Sequence, residues 1–183
     1  MNGPKMDLLP FDTAHAATVA SWPASSREVA MWCGRHEFPL PPEVVAGWQR
    51  GEDVRSHMLL ADGDPLGYGE LWVDPEEGEI ELARIIVAPG ARGRGIGREL
   101  VRGLAALARD AGYANVFMRV HPDNDRALRC YRGAGFLPVE AHLAAEWNVS
   151  QPIDYAWLRH AAPEEPEDPE DPEDPEGPRG GHG

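Results

Sequence analysis

A mixed α/β domain, with strands that start antiparallel and later alternate with helices, is the fold class this sequence predicts. Three observations carry that reading. Residues 57–74, HMLLADGDPLGYGELWVD, are two β-prone runs around an Asp-Gly pair, the chemistry of a tight hairpin turn. Leu100, Leu104, Leu107 and Ala111 recur at helical spacing and give residues 97–111 one apolar face. Between them, APGARGRGIGREL (88–100) concentrates glycine and arginine at a strand-to-helix turn.

Taken in order, MDLLPFD reads as a first strand. Residues 13–34 hold two short helical patterns interrupted by SWPASS, where Ser25 or Ser26 is a ready cap for the second. EFPLPP is a rigid loop, and 42–50 a further short helix. The hairpin follows, and EEGEIELARIIVAP supplies a turn and another strand. After the glycine turn and the 97–111 helix come a strand at NVFMRV and a helix over 125–134, closed by Gly135. FLPVEAHLAAEW and IDYAWLRH are expected to finish the domain as two more strands.

The composition, 42% hydrophobic and 26% charged in 183 residues, suits one domain with a sizeable core. Its net charge of −14 is dominated by PEEPEDPEDPEDPEGPRGGHG from Pro163 onward. That stretch holds nine acidic residues and one arginine, so the chain's 31 acidic and 17 basic residues fall to 22 and 16, a net −6 over 1–162. A Pro-Glu-Asp repeat has no apolar side chain to build a core with, so 163–183 is expected to be a solvated, disordered tail on a 1–162 domain. A body at −6 argues against nucleic acid as a partner. No apolar run is long enough for a membrane helix and no signal core is visible, so the expected location is the cytoplasm. Cys33 and Cys130 stand far apart without CxxC spacing and are expected as free thiols.

Glycines at 93, 95 and 97 allow a tight turn and a close approach of N–H groups to a ligand. The next helix adds its positive N-terminal end, and Arg92, Arg94 and Arg98 add full charges, an arrangement suited to a pyrophosphate. No Gly-Lys-Ser/Thr follows, so this is not a Walker A loop, and the alternating glycines miss the dinucleotide spacing.

Arg92-Gly93-Arg94-Gly95-Ile96-Gly97 resembles the [Q/R]-x-x-G-x-[G/A] motif of the GNAT-superfamily N-acetyltransferases, with arginine where many members carry glutamine. NDRALRCYRGAGF (124–136) resembles the same superfamily's N-x-x-A-x-x-x-Y-x-x-x-G-F segment. The resemblance covers roughly residues 60–160. It implies the GNAT acyl-CoA fold, a mostly antiparallel mixed sheet with a central splay and about four flanking helices. It also implies transfer of an acetyl group from acetyl-CoA, as co-substrate and without a metal, to a small amine or a protein N-terminus. By the same resemblance the turn Arg92, Gly93, Arg94, Gly95, Ile96, Gly97, Arg98 would hold the CoA pyrophosphate. Ile85, Ile86 and Val87 would run beside the pantetheine, and Asn124 would bond the pantetheine or cap its helix.

An alkylamine is mostly protonated at neutral pH, so a base is needed. Glu81 is the choice within EEGEIE, with Glu79, Glu70 and His121 as reserves. By the same resemblance Tyr131, one helical turn from Ala127, would be the general acid toward the departing thiolate, while neighbouring Cys130 is read as structural. Trp22, Trp32 and Trp48 lie in the N-terminal helices, where the family builds its acceptor wall. The rival class is a non-catalytic acyl-CoA-binding module with Glu81 and Tyr131 as relics. Oligomeric state leaves no mark in the sequence, a homodimer being one option.

Overall fold

The computed structural model describes residues 4–161. The acidic tail, and the expectation of disorder placed on it, lie outside the described residues. The architecture is a seven-stranded sheet in the order β1-β2-β3-β4-β5-β7-β6, covered on both faces by helices. Strand β1 (Met6–Pro10) pairs antiparallel with β2 (Val54–Ala61), and β2 with β3 (Asp64–Asp74). The Asp62-Gly63 pair that joins β2 to β3 has φ of 49° and 90°, the positive values that a two-residue hairpin turn of the right twist requires. Strand β4 (Glu79–Val87) continues the antiparallel run.

The sheet then changes character. β5 (Asn115–Val120) lies parallel to β4, but only Glu79–Glu81 pair with Asn115–Phe117. Beyond Glu81 the two strands part. β7 (Ala156–His160) and the short β6 (Phe136–Pro138) close the far edge, antiparallel.

Helices α1 (Ala16–Ala20), α2 (Ser26–Cys33) and α3 (Pro42–Trp48) cover one face. Ser25 caps α2, its Oγ accepting from the Glu28 N–H at 3.2 Å. Their core joins Val19, Val29 and Val45 to Met58, Tyr68 and Ile86 of the sheet. The other face carries α4 (Ile96–Asp110) and α5 (Asp125–Gly133). There Leu100 and Leu104 are fully buried against Leu71, Ile80 and Leu82, each side chain stabilising the fold by roughly 1.5–3 kcal/mol through burial. The Leu100-Leu104 spacing thus seats α4 on the sheet and fixes where its N-terminus points.

One expected strand is mostly a helix. Only Phe136–Pro138 of FLPVEAHLAAEW is β, and Ala141–Asn148 forms α6. Residues 141–147 are Ala, His, Leu, Glu and Trp with no β-branched residue, and the intrinsic preference of Ala, Leu and Glu outweighs the apparent alternation.

Candidate active site

The parting of β4 from β5 opens a cavity of about 650 Å³, within the usual size of ligand sites. Leu82 to Val87 of β4 and Met118 to Val120 of β5 line its two sides. A β-bulge shapes the β4 side. Tyr68 stands opposite Ile86 and Glu70 opposite Ala83, so Arg84 and Ile85 share the place across from Gly69. Arg84 takes φ of 47°, a left-handed conformation that costs on the order of 1 kcal/mol for a residue with a side chain. The bulge turns Ile85 toward the α4 core and Ile86 toward the α1–α3 core.

The glycine turn forms one end of the cavity, to which Arg92, Gly93, Gly95, Ile96, Gly97 and Arg98 all contribute, while Arg94 is exposed outside it. Gly95 is the N-cap of α4 at φ 79° and offers no side-chain cap, leaving the first N–H groups of α4 for a ligand. At Gly97 an added Cβ would come within 3.0 Å of Cys130 Sγ, so this glycine serves the close packing of α4 on α5. The three arginines divide their work. Arg92 folds inward, its Nε donating to Val87 O at 3.1 Å, with Trp22 O and Glu28 as further partners. Arg98 lies against Gly133 at the end of α5.

Helix α5 supplies a second wall. Asn124 Oδ1 accepts from the Ala127 N–H at 3.2 Å, capping α5 while the residue also lines the cavity. Tyr131 lines the cavity too and packs against the α4-side core. Its hydroxyl makes no hydrogen bond within the described residues, and burial pushes its ionisation above the ordinary phenol range. Cys130 sits beside it, its thiol also pushed up by burial. His121 reaches the cavity, but its Nδ1 accepts from the Asp123 N–H at 3.2 Å, which leaves the proton of the neutral ring on Nε2.

On the α1–α3 side the carboxylates are engaged. Glu81 does not line the cavity. Its Oε1 meets Arg119 Nε at 2.8 Å, while burial raises its pKa against the opposing pull of Arg119. Glu70, 0% exposed, accepts from the Tyr68 hydroxyl, from Trp72 Nε1 at 2.6 Å and from Arg84 Nη1 at 3.0 Å. Glu79 is near the turn and away from the cavity, its pKa raised by partial burial and by Glu77 and Asp74. Of the three N-terminal tryptophans, Trp22 is buried in the core, while Trp32 and Trp48 meet edge to face at 5.3 Å. The Trp32 indole donates to Arg84 O at 2.8 Å, holding the bulge.

Comparison with known proteins fits this geometry. The sequence matches the model described as the acetyltransferase (GNAT) family over residues 19–136. The chain belongs to that family. Streptothricin acetyltransferase of Streptomyces lavendulae is 37% identical over 89 residues, 47% of each chain. Mycothiol acetyltransferase of Jonesia denitrificans is 36% identical over 87 residues, 48% of this chain and 26% of that one. The chain therefore spans half or less of these relatives' length. Among solved structures, AAC(6')-Ib in complex with ribostamycin and coenzyme A shares the fold, with a TM-score of 0.68 and 23% identity over 85% of this chain and 93% of that one.

The structure adds residues that motif reading passed over. Arg126 and Arg129 of α5 line the cavity near the glycine turn; their three-residue spacing within NDRALRCYR was the available signal. Arg84 and Arg119 face the cavity from β4 and β5. Nothing local in the sequence marks them, because their partners Glu70 and Gln151 come from other strands and loops.

Proposed function

We propose that the protein transfers the acetyl group of acetyl-CoA to a primary amine by direct attack, using no metal and no covalent enzyme intermediate. What carries this reading is the meeting, on one cavity, of an open strand edge, a helix N-terminus freed by Gly95 and a half-buried phenol with no hydrogen bond among the described residues. The fold unit doing this is residues 1–162, with the segment from 163 dispensable to the chemistry.

The residues fit acetyl-CoA. N–H groups of the turn 92–98 and the N-terminus of α4 hold the pyrophosphate, with Arg98, Arg126 and Arg129 supplying counter-charge. The edge of β4 at Ile85–Val87 pairs with the pantetheine amides as an added strand would. Asn124 spends its Oδ1 on the α5 cap, which leaves its Nδ2 to donate to the pantetheine.

Proton traffic follows from the ionisation states. Glu81 accepts the ammonium proton through a bridging water: its Oε2 has no hydrogen bond within the described residues, and desolvation raises its proton affinity. The amine lone pair forms the C–N bond, the C–S bond breaks and its electron pair goes to sulfur. Tyr131, kept protonated by burial, donates to that sulfur. The nitrogen loses one proton before attack and one after it; the first reaches Glu81, and the second restores the Tyr131 hydroxyl through solvent.

The engagement of both Glu70 and Glu81 in ion pairs favours the second reading, a binding module that keeps acetyl-CoA without transferring it. A thiol-release assay with acetyl-CoA over a panel of amines decides. Acceptor-dependent thiol is expected, and Glu81→Gln should lower kcat by roughly 10²-fold at neutral pH, the deficit shrinking as pH rises and amine arrives neutral. Tight acetyl-CoA binding with no thiol release from any amine would establish the module instead.

A further inference from the structure

The acceptor side of the cavity holds a guanidinium where a site for polycationic amines would need negative charge. Arg84 Cζ lies 4.0 Å from the Trp48 ring centroid and 4.9 Å from that of Trp72. Among the described residues its guanidinium hydrogen-bonds only from Nη1, to Glu70. Nε and Nη2 have no partner within the described residues, and neither is sealed from solvent. Glu70 itself is wholly buried, bonded to three neighbours and absent from the cavity lining, so a ligand cannot touch it, whereas the Arg84 side chain is 21% exposed and lines the cavity. The bulge and its positive φ set this geometry, and the bond from Trp32 to Arg84 O pins it.

A second guanidinium flanks the same indole. Arg119 Cζ is 5.6 Å from the Trp72 centroid, and Arg119 also lines the cavity. Its Nε and Nη1 are taken by Glu81 and Gln151. Its carboxylate partner, Glu81, stands outside the cavity lining.

We propose that the acceptor is an amine bearing a carboxylate on an apolar body, an amino-acid-like molecule whose carboxylate is held by the free Nε–Nη2 edge of Arg84. This rests on the acetyl-transfer reading above and names its substrate class. The Nε–Nη2 edge is the planar two-donor fork that matches a carboxylate; the Trp48 and Trp72 indoles hold the guanidinium flat, and Met31 and Trp32 of the cavity lining offer apolar contact. A polycation gains no carboxylate from this wall, because Glu70 and Glu81 are both committed to guanidinium partners and neither lines the cavity, so its further ammonium groups would lose water there without a partner.

The experiment uses matched pairs with the full chain and acetyl-CoA: phenylalanine against phenethylamine, tryptophan against tryptamine, and 4-aminobutyrate against butylamine, with spermine and kanamycin alongside. The carboxylated member is expected to lead its partner by tenfold or more in kcat/KM, and both polycations to trail. In Arg84→Gln, and in Arg84→Lys should the first variant fold poorly, the ratio within each pair should fall toward one, mainly through KM. Equal or better transfer to the decarboxylated partners or to spermine by the native protein would overturn the proposal. A second readout is independent of turnover. Calorimetry with CoA present should show N-acetylphenylalanine binding at least tenfold more tightly than N-acetylphenethylamine, and no such preference would overturn it too. Thiol release from no amine, with that binding preference intact, would instead defeat the transfer reading alone.

Discussion

The two halves of the cavity are built by opposite strategies. On the α4–α5 side the cavity is walled largely by backbone: a glycine turn, a helix N-terminus and an open strand edge, with side chains such as Arg92 turned inward to brace the loop. On the α1–α3 side almost everything is side chain, with Trp32, Trp48, Trp72, Tyr68, Glu70, Arg84 and Arg119 interlocked across five elements. Backbone recognition suits a co-substrate whose polar groups never change, and it can be written as one contiguous run of residues. Side-chain recognition can be altered one residue at a time without disturbing the sheet. The cavity is thus a fixed half joined to a variable half along the β4 bulge.

The variable half is expected to be the more fragile one. Glu70→Ala would leave the Tyr68 hydroxyl, the Trp72 N–H and Arg84 without their shared acceptor in a buried place. Breaking a buried ion pair by removing one partner costs about 3–5 kcal/mol, and partial solvent access at Arg84 puts this case near the lower end. Urea unfolding should register that loss, while the folded variant should bind acetyl-CoA with native affinity. Stability unchanged within about 1 kcal/mol would mean that the Glu70 network does not hold this half together.

Tyr131, on α5 against the α4-side core, tests the chemistry of the fixed half. Tyr131→Phe keeps the ring against its core neighbours and removes only the hydroxyl. If that hydroxyl donates to sulfur as the C–S bond breaks, kcat and kcat/KM should fall together by about 10- to 10³-fold, with little change in acetyl-CoA dissociation constant. Pre-steady-state acetyl transfer at saturating acetyl-CoA measures the step. A native transfer rate there would remove the acid role, and a loss confined to affinity would make Tyr131 a cofactor anchor.

The same contrast explains what could be read from the sequence. Gly93, Gly95, Gly97, Asn124 and Tyr131 sit in two short motifs, and each lies on the cavity because its helix carries it there. Local periodicity likewise located β2, β3, β4, α4 and α5. The α1–α3 half escaped because its contacts are long-range: Trp32 bonds Arg84 across 52 residues, and Arg119 reaches Gln151 across 32. The expectation of an N-terminal aromatic wall named Trp32 and Trp48 but could not foresee that an arginine would pack between Trp48 and Trp72. Nor could it foresee the bulge, since the sequence around Arg84 offers no glycine to announce a positive φ. The misread strand at 139–147 has a different cause, a local alternation that tertiary pairing never used.

The mildest prediction isolates the backbone strategy itself. Gly95 sits at φ 79° with nothing within 4 Å of an added Cβ, so a side chain there meets no protein atom and would project where a ligand must approach. Gly95→Val should weaken acetyl-CoA binding by at least tenfold, about 1.4 kcal/mol, and should also cost stability, because a β-branched residue tolerates positive φ poorly. The two effects are separable. Gly78 has φ of 67°, likewise nothing within 4 Å, and lies in the turn before β4 away from the cavity. Gly78→Val therefore carries the same backbone penalty without the obstruction. Calorimetry should find native acetyl-CoA affinity in Gly78→Val and the tenfold loss in Gly95→Val, with comparable losses in thermal stability. Equal affinities in the two folded variants would show that the turn holds the pyrophosphate through its arginines and not through its N–H groups.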